Sequence, residues 1–206
     1  MIPYTPHLHH RRSIRLKGYD YSQAGLYFIT ICCQGRACLF GNVVDGEMKL
    51  NDAGKMVEFQ WVKIQERFKN IQLHEYVVMP NHFHAILEIV GATLVVALNE
   101  SVALNESVAL NESVALNENN ATDKGQPQGI APTGKTVGDM VGAFQSIVTV
   151  EYIRGVKTLG WKPFDGKLWQ RNYYEHIIRN KQSYERIAEY IINNPATWKK
   201  DKLFLQ

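Results

Sequence analysis

Apolar residues recur along this chain at two spacings, one typical of β-strands and the other of α-helices. Runs rich in β-branched and aromatic residues predict a strand at Gly25–Cys33 and a hairpin within Leu39–Leu50, with its turn at Asp45-Gly46. Two further apolar runs span Tyr76–Val90 and are joined by a turn at Pro80-Asn81. The first part of the chain is therefore expected to consist mainly of strands and tight turns.

The first of three predicted helices covers Asp52–Phe68, after an N-cap at Asn51. Its apolar residues lie at roughly helical spacing, and one large aromatic residue borders them. The expected buried face comprises Met56, Phe59, Val62 and Ile64, with Trp61 at its border.

Two more helices are predicted in the second half of the chain. One begins at Thr136, where Asp139 completes a capping-box-like pattern, and it runs to about Arg154. The other covers Ser183–Asn193, and Pro195 disfavours its continuation. Its expected apolar face comprises Tyr184, Ile187, Ala188, Ile191 and Ile192.

A tandem repeat separates the strands from the second helix. Val-Ala-Leu-Asn-Glu occurs four times between residues 96 and 118, and Asn, Gly, Gln and Pro follow it. A period of six residues fits neither a helix nor a coiled coil. Residues 92–135 are therefore expected to form a flexible, low-complexity insertion in a single domain spanning 1–206.

Composition and cysteine content narrow the class of protein. The chain has 206 residues, is 45% hydrophobic, and has no apolar run approaching the length of a membrane helix. Its N-terminus is polar and basic rather than a secretory signal, so a cytoplasmic location is expected. An odd cysteine count, with Cys32 and Cys33 facing opposite ways on one strand, predicts reduced and packed thiols.

The charge distribution suggests a polyanionic partner. Removing residues 92–123, which carry −5, from a chain of net charge +3 leaves +8 on the remainder. A basic arm at 1–17 includes Arg11, Arg12, Arg15 and Lys17. Arg171 and Arg179 lie among aromatic residues in a second segment, a mixture that suits single-stranded nucleic acid. The alternative interpretations are a solvated basic surface and a strand whose rings belong to the core.

The candidate chemistry begins with His82 and His84, which lie two residues apart on a predicted strand. Side chains at that spacing share a face of the sheet, so both imidazoles can reach one divalent cation. Phe83 is expected to point into the core. A histidine pair with no metal is the alternative interpretation of this pattern.

A candidate nucleophile and a further polar residue occur near the C-terminus. At about 100° per residue, Tyr190 falls about 130° from the centre of the apolar face of the last helix, so it is not expected in the core. Asn194 follows one turn later, on the same side. Both residues lie at the partially negative end of the helix, which favours a nearby cation, and Asn194 offers a carbonyl oxygen.

Three motifs in this order resemble the HUH endonucleases and, more closely, the REP-associated tyrosine transposases, which are single-tyrosine HUH transposases. The motifs are Met79–His84, Trp169–Asn180 and Tyr190–Pro195, and the resemblance covers nearly the whole chain except 92–135. It implies an α+β, ferredoxin-like fold with an antiparallel sheet and helices packed on one face.

The resemblance also implies roles for particular residues. His82, His84 and Asn194 would bind Mg²⁺ or Mn²⁺, and Tyr190 would attack DNA to form a 5′-phosphotyrosine. The implied activity is a single-stranded DNA endonuclease and strand transferase acting on hairpin DNA, and a homodimer is a further expectation. The alternatives are a catalytically inactive DNA-binding protein derived from a transposase, a replication or conjugation nickase, and a metal hydrolase.

Overall fold

The structure, a computed structural model, describes residues 16, 18–91 and 135–204. Arg11, Arg12, Arg15 and Lys17 of the predicted arm lie outside the described residues. So does almost all of the predicted insertion, with the exception of Lys135. The expectations for these segments, and for one domain over 1–206, stay predictions.

The described residues form six strands and three α-helices. The strands are β1 (Gly25–Cys32), β2 (Gly41–Val44), β3 (Glu47–Leu50), β4 (Ile71–Met79), β5 (His82–Ile89) and β6 (Tyr174–Ile178). The helices are α1 (Asp52–Arg67), α2 (Val137–Leu159) and α3 (Lys181–Ile192), with 3-10 turns at Gln34–Arg36 and Trp198–Lys200.

Four strands form one antiparallel sheet in the order β4-β5-β1-β6. The chain passes through β1, α1, β4, β5, α2 and β6, which is the βαββαβ connectivity of a ferredoxin-like fold. Strands β2 and β3 form a separate hairpin, in which Asp45 and Gly46 both have positive φ. The predicted α+β class and antiparallel sheet are therefore confirmed.

The main core lies between one face of the sheet and the helices α1 and α2. Alternate residues of β1 and β5 contribute to it, and Phe83 is fully buried there, as predicted. The face predicted for α1 is partly wrong, because Phe59 and Val62 are exposed. Trp61 is instead buried against Phe83, since it continues the helical row that contains Val57 and Ile64.

Helix α3 packs on the opposite face of the sheet. Its Ala188 and Ile191 join Phe28, Ile86 and Ile178 in a second, smaller core. Helices α1 and α2 therefore share one face of the sheet, as expected, whereas α3 covers the other face. That face carries His82 and His84, because side chains alternate between the two faces along β5. Another expectation for α3 is wrong, because Ile192, at the last turn of the helix, is exposed.

Several element boundaries differ from those predicted. Strand β4 begins at Ile71, before the predicted Tyr76, and α2 continues beyond Arg154 to Leu159. The N-caps predicted at Asn51 and Thr136 are present, and each side chain accepts a main-chain N–H hydrogen bond. No helix within the described residues is both long and apolar enough to span a membrane.

Candidate active site

The two predicted histidines lie together on β5, beneath the C-terminal end of α3. Their ring centroids are 4.4 Å apart, and His82 and His84 are both almost fully buried. The prediction that they share one face of the sheet is confirmed. Opposite them on β1, Cys32 pairs with His82 and Thr30 pairs with His84.

Hydrogen bonds of Asn81 determine the tautomer of His82. The Asn81 Nδ2 group donates to the main-chain oxygens of Arg36 and Leu203, at 3.2 and 2.9 Å. Its Oδ1 atom is therefore the acceptor that faces His82 Nδ1 at 2.8 Å, so Nδ1 carries the proton. The lone pair of His82 Nε2 is left free, and this buried atom has no hydrogen-bond partner among the described residues.

Asn194 is held in a comparable way. The residue is fully buried, and its Nδ2 group donates to Asp201 Oδ2 at 3.0 Å. That bond directs the amide so that its Oδ1 atom has no hydrogen-bond partner within the described part of the chain. The site thus contains two buried acceptors without donors, His82 Nε2 and Asn194 Oδ1, an arrangement that a bound cation would satisfy.

His84 links this cluster to the candidate nucleophile. Its Nδ1 atom is 2.8 Å from Thr30 Oγ1, and its Nε2 atom is 3.3 Å from the Tyr190 hydroxyl. The Tyr190 hydroxyl also donates to Asp201 Oδ2 at 3.3 Å. The fold therefore brings the pair His82 and His84 together with the pair Tyr190 and Asn194, which follows more than 100 positions later in the sequence.

Tyr190 occupies the rim of the site rather than the core, and 43% of its surface is exposed. Burial of the hydroxyl end and the negative charge of Asp201 raise the pKa of Tyr190 to about 12. The phenol is therefore protonated at neutral pH. A cation held in this cluster would favour the phenolate and so oppose the shift.

The buried histidines are neutral, as metal ligands must be. Burial lowers the pKa of His82 to about 4, although the charge of Asp201 partly opposes that effect. Burial, and then the neighbouring His82, hold the pKa of His84 well below its ordinary value. Ligand atoms of His82, His84 and Asp201 all lie within 4.8 Å of one another, so these residues fit a metal ion.

Sequence reasoning did not find Asp201. The residue follows the short turn at Trp198–Lys200, where the chain folds back over the histidines and Trp198 packs beside His82. In the sequence, Asp201 stands out only as a single acidic residue among Lys199, Lys200 and Lys202. A carboxylate in such a run is ordinarily a surface residue, so its place in the cluster depends on the tertiary fold.

Two of the arginines predicted to contact DNA, Arg171 and Arg179, lie within the described residues, and they occupy different parts of the surface. Arg171 is exposed and lines a cavity of about 600 Å³ together with Gln34, Lys167 and Gln170. Arg179 is exposed just beyond the end of β6 and does not line this cavity. The structure therefore places Arg171 beside a groove.

Comparisons with known proteins place the chain in a family. No model of a known protein family matches it. A solved structure of a REP-associated tyrosine transposase bound to a REP hairpin is similar, with a TM-score of 0.47 and 16% identity over 91% of this chain and 76% of that one. An uncharacterized protein of Haemophilus influenzae is 41% identical over 202 residues, 98% of this chain and 97% of that protein. This chain therefore belongs to the same family as that Haemophilus influenzae protein.

Proposed function

We propose that this protein is a metal-dependent, single-stranded DNA endonuclease and strand transferase, a transposase that acts on hairpin-forming DNA through a 5′-phosphotyrosine. One observation carries the proposal. The hydroxyl of the half-exposed Tyr190 lies 3.3 Å from His84 Nε2, at the edge of a buried cluster of metal-ligand atoms that includes two acceptors with no donor among the described residues. The motifs that resemble the REP-associated tyrosine transposases contain these same residues.

His82, His84, Asn194 and Asp201 would hold the cation. Mg²⁺ or Mn²⁺ suits a site that combines imidazole, amide and carboxylate donors. When bound, the ion would polarise the scissile phosphate and stabilise the charge that develops on its oxygens. The hydrogen bond that His82 Nδ1 donates to Asn81 Oδ1, and the one between His84 Nδ1 and Thr30 Oγ1, orient the imidazoles for that role.

The chain's own residues account for the remaining chemistry. The Tyr190 oxygen attacks phosphorus, a phosphotyrosine bond forms, and the bond to the 3′ oxygen breaks. Asp201 accepts the hydrogen bond of the Tyr190 hydroxyl, so its carboxylate is the group placed to take the phenolic proton. The departing oxygen takes a proton to become a free 3′-OH, which can reverse the step on another strand.

A catalytically inactive DNA-binding protein is the main alternative. Such a protein would have no need to keep unpartnered acceptors beside an exposed tyrosine, because buried unsatisfied groups cost stability. A replication or conjugation nickase would share the chemistry and differ in its substrate. A cytoplasmic location and a homodimer are further parts of the proposal, and light scattering of the purified protein would test the second.

Trapping the covalent intermediate tests the proposal. Wild-type protein incubated with a labelled library of single-stranded hairpins and Mn²⁺ should form an adduct, and peptide mapping should place the nucleotide on Tyr190. Tyr190→Phe should form no adduct yet keep its fold and its hairpin affinity, because it removes one hydroxyl from a half-exposed ring.

Tyr184→Phe on the same helix is the matched control. Tyr184 is partly buried, its hydroxyl donates to Glu75, and it should not be needed for adduct formation. A nucleotide on any other tyrosine would refute the assignment of the nucleophile. The absence of any adduct with the wild-type protein across the library, in Mn²⁺ and in a parallel incubation with Mg²⁺, would favour the inactive DNA-binding protein.

A further inference from the structure

Helix α3 covers only part of the sheet face that carries the histidines. It packs against β4 and β5. On the same face, β1 and β6 border a cavity of about 790 Å³ that also reaches His84 and Tyr190. The cavity therefore adjoins the candidate nucleophile directly.

Aromatic rings form the floor of this cavity. Phe28 lies at the centre, and the rings of Tyr174 and Tyr190 stand edge-on to it, with centroids 6.3 and 6.2 Å away. Tyr174 is half exposed and lines the cavity, so a ligand can reach its ring. On the sheet, Tyr174 pairs with Thr30, which pairs in turn with His84. The open ring is thus two strands from the metal cluster.

Polar and basic side chains surround the rings. Gln170 and Asn172 place amide groups at one side of the cavity, and Lys200 and Lys202 line another. Gln170 also lines the neighbouring cavity of about 600 Å³, where the two cations Lys167 and Arg171 outnumber the one carboxylate, Asp165. A strand that follows this basic route passes from the second cavity to Tyr190.

We infer that the cavity beside Tyr190 is a subsite for an unpaired nucleotide next to the scissile phosphate. The base stacks on Tyr174, the amides of Gln170 and Asn172 hydrogen-bond its edge, and Lys200 and Lys202 contact backbone phosphates. This inference rests on the proposed function and adds the residues that hold a base of the single-stranded substrate. A base that stacks on Tyr174 has left its partner base, so the strand is unpaired at this position.

Metal-free binding measurements test the subsite apart from catalysis. Fluorescence anisotropy in EDTA would compare labelled dA12, dC12 and dT12 with a fully abasic 12-mer of the same charge. Tyr174→Ala should weaken binding to the three base-containing strands by about five-fold or more, the range known for base–aromatic stacking. It should leave binding to the abasic strand unchanged, and Tyr174→Phe should bind like the wild type.

Phe59→Ala is the matched control, because Phe59 is an equally exposed ring on α1, on the other side of the sheet. It should bind all strands like the wild type. The inference is overturned if Tyr174→Ala weakens binding no more than this control. It is also overturned if the variant, with an unchanged melting temperature, loses equal affinity for the abasic strand, which would indicate a charge or shape effect.

The two proposals can fail separately. If adducts form on Tyr190 but Tyr174→Ala binds base-containing strands as well as the wild type does, the nuclease proposal stands and the subsite is wrong. If Tyr174→Ala weakens binding only to the base-containing strands but no adduct forms, the cavity binds single-stranded nucleic acid and the nuclease proposal is wrong.

Discussion

Replacing Asp201 with asparagine tests the one site residue that emerged only from the structure. The substitution keeps the shape of the side chain and an oxygen atom, but it removes the negative charge. In the wild type, Asp201 accepts hydrogen bonds from Tyr190 and Asn194, and its ligand atom lies within 4.8 Å of those of His82 and His84. The variant should therefore bind a divalent cation more weakly.

The expected loss of cation affinity follows from the distance between the two charges and the effective dielectric constant around them. Two unit charges 4 Å apart interact by about 4 kcal/mol at an effective dielectric constant of about 20, and a divalent cation doubles the charge on one side. The retained amide oxygen and solvent at the half-buried Asp201 offset most of that loss. We expect Mn²⁺ affinity to fall by about 10- to 100-fold, the range found for residues that support metal ligands.

Two measurements separate the possible roles of the carboxylate. Calorimetric titration with Mn²⁺ gives the affinity directly, and adduct formation is then measured at saturating Mn²⁺. A lower affinity for Mn²⁺ indicates that Asp201 is a ligand. A rate that excess metal restores indicates that this is its main role, whereas a rate that stays low at saturating Mn²⁺ indicates that Asp201 also takes the proton of Tyr190. Asp52→Asn, at an exposed carboxylate on α1, is the control. If Asp201→Asn matches this control in both measurements, the place given to Asp201 is wrong.

Further substitutions test the metal cluster and the packing around it. Mn²⁺ at 100 times its Kd should stabilise the wild type by about 2.7 kcal/mol, which a rise in melting temperature would show. His82→Ala should show no such rise, and an equal rise in both proteins would exclude His82 as a ligand. Gly54→Ala should destabilise the fold by about 1–3 kcal/mol in urea denaturation, because a Cβ there would overlap the Phe40 carbonyl oxygen. Gly142 lies on an exposed part of α2, where a Cβ would meet no atom of the described residues. Gly142→Ala should therefore stabilise the fold by up to about 1 kcal/mol, and equal effects of the two substitutions would contradict the packing described.

Local rules were sufficient for the parts of the site that lie close together in sequence. Strand alternation alone places His82 and His84 on one face and Phe83 on the other, because the side-chain period of a strand is two. Helical periodicity places Tyr190 off the apolar face of α3, one turn before Asn194. The N-cap residues at Asn51 and Thr136 mark helix starts because their side chains bond free main-chain N–H groups.

Other features depend on which surfaces meet in the folded chain. Periodicity could not decide between Phe59 and Trp61 on α1, since the buried row is selected by contact with Phe83 and α2. That α3 lies on the histidine face, and that Asp201 returns to join the cluster, follow from packing between segments far apart in sequence. Non-local contacts of this kind leave no periodic pattern, so only the tertiary structure identifies the carboxylate and the cavity beside Tyr190.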